Sequence, residues 1–303
     1  MGSGMSDTPS FGNPPPDNAT SRAPEADPKG SAAGKPVKKD ENFFAFLAWL
    51  VLGVVVLRSF IVSPFNIPSE SMLPRLLNGD YLFATKWSYG YSKYSLPFSV
   101  PLIPGRILAS QPERGEVAIF KAPPGNDTDY IKRVIGLPGD EVQVKAGQVW
   151  LNGKPVPKVR VADFVLPLTP NTRCYEPRFE ATDAQGEPVC EYPRFRETLP
   201  NGVSYYVLDL GPARADNPWG IDADNTPVFI VPEGHLFMMG DNRDNSMDSR
   251  FPAVEGGGIG MVPQANLVGR AALMMFSTDG SAEWIKPWTW FTAARWSRIG
   301  SLI

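Results

Sequence analysis

The sequence holds a single histidine in 303 residues. A serine that attacks a carbonyl needs a base to take its proton, and histidine is the residue that most often does so. Here the one histidine, His235, lies in Pro232-Glu233-Gly234-His235-Leu236-Phe237, a turn entering an apolar strand. A serine nucleophile in this chain is therefore expected to take its base from another residue type. Cysteine is nearly absent too: Cys174 and Cys190 are too few for a disulfide scaffold and too far apart for a CxxC redox or zinc motif. No metal and no cofactor are expected. Charge of one sign is lacking, and a net charge of −3 gives no reason to expect a nucleic-acid partner. Helical periodicity is scarce, whereas 32 prolines and 28 glycines point away from a helical bundle and towards a turn-rich, mainly β protein.

Long hydrophobic runs are missing with one exception. Residues 1–41 are Pro, Gly, Ser, Ala and charge, with almost nothing to bury, and read as a disordered tail. The composition then changes abruptly. Phe43 to Leu57 carries no charge, and Phe60-Ile61-Val62 follows Arg58 and Ser59. With Arg58 snorkelling to one interface, residues 42–62 supply the roughly 20 residues that span a bilayer as a helix. The alternative is a buried core helix; hydrophobicity all round, directly after a polar tail, favours the membrane anchor. A cleaved signal peptide fits less well, because a long polar region precedes the run and no small-x-small site follows it. Lys35, Lys38 and Lys39 lie before the helix, against Arg58 alone near its other end. The positive-inside rule then puts the N-terminus in the cytoplasm and the bulk of the chain across the membrane.

Beyond the anchor, short β-like runs alternate with turn signals. Tyr81-Leu82-Phe83-Ala84 follows Asn78-Gly79-Asp80, and Val117-Ala118-Ile119-Phe120 follows Arg114-Gly115-Glu116. Tyr130 to Ile135 reads as a strand, and residues 142–144 and 148–151 flank Ala146-Gly147 as a hairpin. Further strands are expected at 203–209, 227–231, 235–239 and 266–276. Residues 161–225 differ, being polar and richer in Pro and Arg, and holding both cysteines. The expected organisation is a β-rich exported domain from 63–160 and 226–280, a smaller lobe inserted at 161–225, and an aromatic segment at 281–303. In an oxidising compartment Cys174 and Cys190 can close a loop of about 15 residues, worth roughly 3 kcal/mol on a chain-entropy estimate. Two reduced cysteines in a mobile loop are the other possibility.

Three stretches carry candidate chemistry. In Asn66-Ile67-Pro68-Ser69-Glu70-Ser71-Met72-Leu73-Pro74, two hydroxyls flanked by prolines sit on a constrained turn just after the anchor. Alone it could equally be a Ser-rich turn. In Asp129-Tyr130-Ile131-Lys132-Arg133-Val134-Ile135-Gly136, strand alternation sends Lys132 to one face and Arg133 to the other. One cation must then point where apolar neighbours point, unless the strand is an exposed edge. Burial disfavours the charged form of a lysine; moving Lys132 from ~10.4 to about 8 takes roughly 3 kcal/mol of differential solvation, within what burial supplies. A neutral lysine can act as a general base. The third stretch runs from Met238-Met239-Gly240-Asp241-Asn242-Arg243 through Asp244-Asn245-Ser246-Met247 to Asp248-Ser249-Arg250. It is either a solvated loop or an internally paired one, with Asp248 on Arg250 or Arg243 on a neighbouring carboxylate, stiffened so that Ser246 points inwards.

Together, in this order and behind a membrane-type helix, the three stretches resemble the sequence boxes of bacterial type I signal peptidases. The resemblance covers roughly residues 43–275, weakly between 160 and 225. It implies a membrane-bound serine endopeptidase acting on exported preproteins with signal peptides, single-pass in the inner membrane with its catalytic domain in the periplasm and membrane lipid around it. It implies Ser71 as nucleophile and Lys132 as general base, with the Ser69 hydroxyl joining the Ser71 backbone N–H in an oxyanion hole. Ser246 matches the hydroxyl that orients the lysine, and Asp248 with Arg250 the supporting ion pair, with Asp241 nearby. Phe65, Ile67, Met72, Leu76, Tyr130 and Ile131 match positions lining shallow apolar pockets for small residues, which suits Ala-x-Ala cleavage sites. Two departures are visible: Glu70 stands where other members carry glycine, and one N-terminal span replaces the two of some members. Neither removes a serine or the lysine.

Aromatic residues concentrate in Trp87 to Phe98 and in Trp284 to Phe291. That enrichment suits a membrane–water interface, with ordinary core packing as the alternative. A β-lactamase-type acyl enzyme also pairs Ser with Lys, but as S-x-x-K on one helix; Ser71 meets Pro74 at that spacing. A Ser/Lys peptidase dedicated to one substrate shares the chemistry and is the nearest enzymatic rival. A binding module that kept the fold predicts loss of Ser71 or Lys132, and both are present.

Overall fold

The computed structural model describes residues 41–212, 220–283 and 285–303. The disordered-tail expectation for residues 1–40 and the interfacial reading of Trp284 lie outside the described residues. Glu41 opens the first helix, α1 (Glu41–Val56), in which no break separates the apolar residues. The helix continues as one wide turn over Leu57–Ile61, where the Val62 N–H reaches back five residues to the Leu57 carbonyl. Asn42–Ile61 is long and apolar enough to cross a membrane, and its large side chains are exposed from Phe43 to Leu57. That exposure disposes of the buried-core-helix alternative. The expected end at Val62 shifts by one residue: the apolar run carries on, but Val62 already belongs to a strand.

The body beyond the helix is built on a seven-stranded antiparallel sheet. Its strands are β1 (Val62–Asn66), β2 (Asp80–Thr85), β3 (Val117–Lys121), β4 (Asp129–Gly136), β5 (His235–Met239), β6 (Val262–Pro263) and β7 (Leu267–Ser277). In space they run β1-β2-β7-β3-β4-β5-β6. In β2 the alternation is plain, with Leu82 and Ala84 buried and Tyr81 exposed. The strand β4 is central, between β3 and β5, so its second half is buried on both faces. That position removes the exposed-edge reading of Lys132 and Arg133.

A second sheet joins Glu141–Lys145, Gln148–Leu151, Lys154–Pro155 and Phe229–Ile230. Its central hairpin turns at Ala146 and Gly147, with φ of 47° and 72°, the two left-handed residues a tight hairpin needs. Between residues 158 and 208 the chain folds into two three-stranded sheets. One of them shares a core with the hairpin: Leu199, Tyr205 and Val207 pack with Val142, Val149 and Leu151. The other, which carries the Cys174–Cys190 disulfide, packs Leu166, Phe179 and Tyr192 against Leu73 and Leu77. Residues 164–192 thus reach the turn after Ser71.

Candidate active site

Ser71 sits on the turn that links β1 to β2, seven per cent exposed. The turn is held from behind by its apolar residues, since Met72 and Leu76 are fully buried with Ile67, Leu82 and Val117. It is held in front by the backbone, because the Ser71 carbonyl accepts the Asn242 N–H at 3.1 Å. Lys132, on β4, comes up beneath it from the middle of the sheet. Its Nζ lies 2.6 Å from Ser71 Oγ, and the residue is only 4% exposed. Burial lowers the Lys132 pKa from its ordinary value to about 8, against the pull of the Asp248 and Asp241 carboxylates, with Arg250 pushing the same way as burial. Ser69 Oγ stands 3.4 Å from Ser71 Oγ.

The next residue on β4, Arg133, is equally buried but faces the other way. It makes a two-pronged pair with Asp241, at 2.7 Å through Nε and 2.5 Å through Nη2, donates to the Gly115 carbonyl at 2.6 Å, and covers the Tyr205 ring. Alternation therefore separates two cations with opposite fates, one paired and charged, one beside a serine with its charge disfavoured. The loop after β5 supplies the remaining polar frame. Asp248 holds Arg250 through both carboxylate oxygens at 2.9 Å and accepts the Gly240 N–H at 3.0 Å. Burial pushes the Asp248 pKa up, but the Arg250 charge and its hydrogen bonds outweigh that and hold it below the usual carboxylate value. Arg250 also donates to the Arg243 carbonyl at 2.5 Å.

The expected pairing of Arg243 with a neighbouring carboxylate gives way to a distant one. Arg243 makes a fork with Glu197 at 2.8 and 2.6 Å, and Tyr205 closes the set on Glu197 at 2.9 Å. Asp244, the nearby alternative, is engaged by the Leu210 N–H at 2.6 Å, and burial raises its pKa to about 6. Ser246 is buried, yet its Oγ has no hydrogen-bond partner among the described residues, Lys132 included. What the sequence reading missed is Gly240. A Cβ there would stand 2.2 Å from Ser246 Oγ and 2.5 Å from the Ser71 carbonyl oxygen, so this residue keeps open the space in which the two serines approach. Glycine after a strand and before an acidic residue was the only local sign.

A cavity of about 760 Å³ opens over the pair. Phe65, Ile67, Tyr130 and Ile131 line it together with Ser69, Ser71, Lys132 and Ser246. Met72 and Leu76 do not reach that lining; they lie in the cluster behind Ile67. Tyr175, Glu176 and Arg178, from the stretch between residues 158 and 208, line the same cavity. His235 is absent from the cavity lining, and its Nδ1 is 3.0 Å from the Glu233 carbonyl oxygen. No cluster of metal-ligating side chains occurs among the described residues. A buried, neutralisable amine against a serine hydroxyl, beside an apolar groove, can do nucleophilic acyl transfer.

Comparison with known proteins gives the same direction. A family model described as signal peptidase, peptidase S26, matches residues 41–276. A signal peptidase I of Rickettsia typhi is 38% identical over 250 residues, which cover 80% of this chain and 82% of that protein. A signal peptidase I of Rickettsia prowazekii is 38% identical over 248 residues, covering 81% and 83%. A solved signal peptidase I from Enterococcus faecalis V583 shares 23% identity, covering 53% of this chain and 97% of that one, at a TM-score of 0.27. That superposition is too loose to add to the assignment. On the family match and the length of these alignments, the chain belongs to the signal peptidase family, peptidase S26.

Proposed function

We propose that this enzyme removes N-terminal signal peptides from exported preproteins, cutting after a small-x-small motif with Ser71 as nucleophile and Lys132 as its neutral base. The 2.6 Å contact between Lys132 Nζ and Ser71 Oγ, inside the core, carries the reading. The neutral amine takes the Ser71 proton as Oγ attacks the carbonyl carbon before the scissile bond. The Ser71 N–H and Ser69 hydroxyl then receive the developing oxyanion, where each donor is worth about 3 kcal/mol. The Lys132 ammonium passes its proton to the leaving amine, which departs as the new N-terminus of the mature protein. Water, deprotonated by the same lysine, opens the acyl-enzyme and frees the signal peptide.

The Asp241–Arg133 pair ties the loop after β5 to β4 beside the lysine, and the Asp248–Arg250 pair stiffens that loop. Ser246, which lines the same cavity with its Oγ unpaired among the described residues, is assigned the orienting role. Walls of Phe65, Ile67, Tyr130 and Ile131, backed by Met72 and Leu76, favour small residues at the cut. The 42–61 helix is assigned as a single inner-membrane anchor with the N-terminus cytoplasmic and the catalytic body, 63–160 and 226–280 with 161–225 inserted, in the periplasm. Lipid contact by the aromatic stretches is supported by the near-total exposure of Phe98 and by exposed Trp87, Leu108, Trp288 and Phe291. Tyr89, in the same stretch, packs inside instead and donates to Glu116.

The test is processing of a model preprotein by Ser71→Ala and Lys132→Ala. Both variants are expected to lose at least about 10³-fold in kcat, as removal of one member of an acyl-transfer pair does. Near wild-type processing by either variant sinks the mechanism.

A further inference from the structure

Residues 295–303 return to the turn that bears Ser71. Asp80, fully buried where β2 begins, is the hub of the contact. Its carboxylate accepts the Leu77 N–H at 2.7 Å, the Ser277 hydroxyl at 2.6 Å, and Arg298 at 3.1 Å through Nε and 2.5 Å through Nη2. The same Arg298 Nη2 donates to the Arg75 carbonyl at 2.9 Å. Arg75 in turn donates to the Leu302 carbonyl, and Arg295 to the Asn78 carbonyl at 2.8 Å.

The segment is itself seated on the main sheet. Gly300 and Ile303 donate their N–H groups to the Met274 and Ala272 carbonyls of β7 at 2.8 and 3.0 Å, and Met274 donates to Ser301 at 2.9 Å. The Ile303 side chain packs on the cluster of Ile67, Met72 and Leu76, behind the substrate groove. Residues 72–79 are therefore gripped between β7 and this strap, through charge-assisted bonds that a buried carboxylate strengthens. Nothing in the proton transfer uses these groups. Yet the turn they grip begins at Ser71, whose Oγ must stay within reach of Lys132 on a different strand.

We infer that Arg298, acting through Asp80, is a positioning residue for Ser71: the strap of residues 295–303 fixes the turn from one end while the Asn242 N–H fixes it at the Ser71 carbonyl. The inference rests on Ser71 being the nucleophile. Misplacing a reacting group by a fraction of an ångström is paid in kcat rather than in KM, because groove and scissile residue still bind.

The experiment uses the full chain in detergent micelles with a model preprotein, comparing wild type, Arg298→Ala, Arg298→Lys and Ser71→Ala. Rates are taken well below the melting temperature of each variant and normalised to folded protein. Arg298→Ala is expected to lower kcat about tenfold or more with KM within about twofold and the pH profile unmoved. Arg298→Lys is expected to restore part of the rate, since it keeps the charge and loses the fork. An Arg298→Ala enzyme with wild-type kcat beside an inert Ser71→Ala overturns the strap alone. So does a loss confined to KM, or an unfolded Arg298→Ala beside an Arg298→Lys of wild-type kcat. A Ser71→Ala enzyme that still cleaves overturns the nucleophile assignment and the strap's role with it.

Discussion

At the scale of the residue, the proposed chemistry depends on the cost of burying Lys132. A lysine held at about 8 in the folded chain has an unfolded value near its ordinary ~10.4. Between those two values the unfolded chain binds the proton and the folded chain does not, so stability rises with pH there; below about 8 the penalty is present in full. The window is worth roughly 3 kcal/mol. Urea unfolding of wild type and Lys132→Met, compared from about pH 8 to about pH 10.5, is expected to show wild type gaining that much relative to the variant. Equal slopes contradict a depressed lysine. The comparison with the variant matters because Lys86 is lowered to about 8 as well, again chiefly by burial. The split between Lys132 and Arg133 was legible in the sequence, since a period of two leaves no other choice. Which of them kept its charge was not. That depends on Asp241 reaching Arg133 from more than a hundred residues away.

At the scale of the element, strands between turn signals were readable because burial on one face imposes alternation and the turns need residues tolerant of positive φ. Residues 81–84, 117–120, 130–135 and 235–239 are all strands. Two things were not readable. The strand β1 was not expected: its first residue, Val62, was counted with the membrane run because it continues an apolar stretch, and residues 63–66 were assigned no strand. Of the small sheets between 158 and 208 only the strand at Ser204–Leu208 was expected; the others gave little alternation, because exposed polar residues intervene, as in Lys158–Arg160. With them went Glu197, the partner of Arg243, whose pairing depends on tertiary folding rather than on any local pattern. The loop after β5 was marked by its density of charge, but its tightest constraint is a glycine. Gly240→Ala places a methyl group into Ser246 and the Ser71 carbonyl. It is expected to cost about 10²-fold in kcat, together with about 1–3 kcal/mol of stability from overpacking. Kinetics on the folded variant check this, and a wild-type rate means that the two serines need not approach as they do here.

At the scale of the whole molecule, one apolar helix and a β-rich body share a chain whose single histidine lies outside the site. The helix was legible because its hydrophobicity is uninterrupted and exceeds what a small core needs. The groove was only partly legible: Phe65, Ile67, Tyr130 and Ile131 followed from the family resemblance, whereas Tyr175, Glu176 and Arg178 come from the segment where that resemblance is weakest. The proposed chemistry joins the scales, since a lysine base works only while the body keeps it dry. The most direct measurement is the pH dependence of kcat/KM for the intact enzyme on a model preprotein, taken from about pH 6 to about pH 10. A base that must be neutral predicts a tenfold rise per pH unit that levels off at an apparent pKa of about 8, unchanged in His235→Ala. A profile flat through that range, or one governed by a group near ~6.5 that vanishes with His235, contradicts the account.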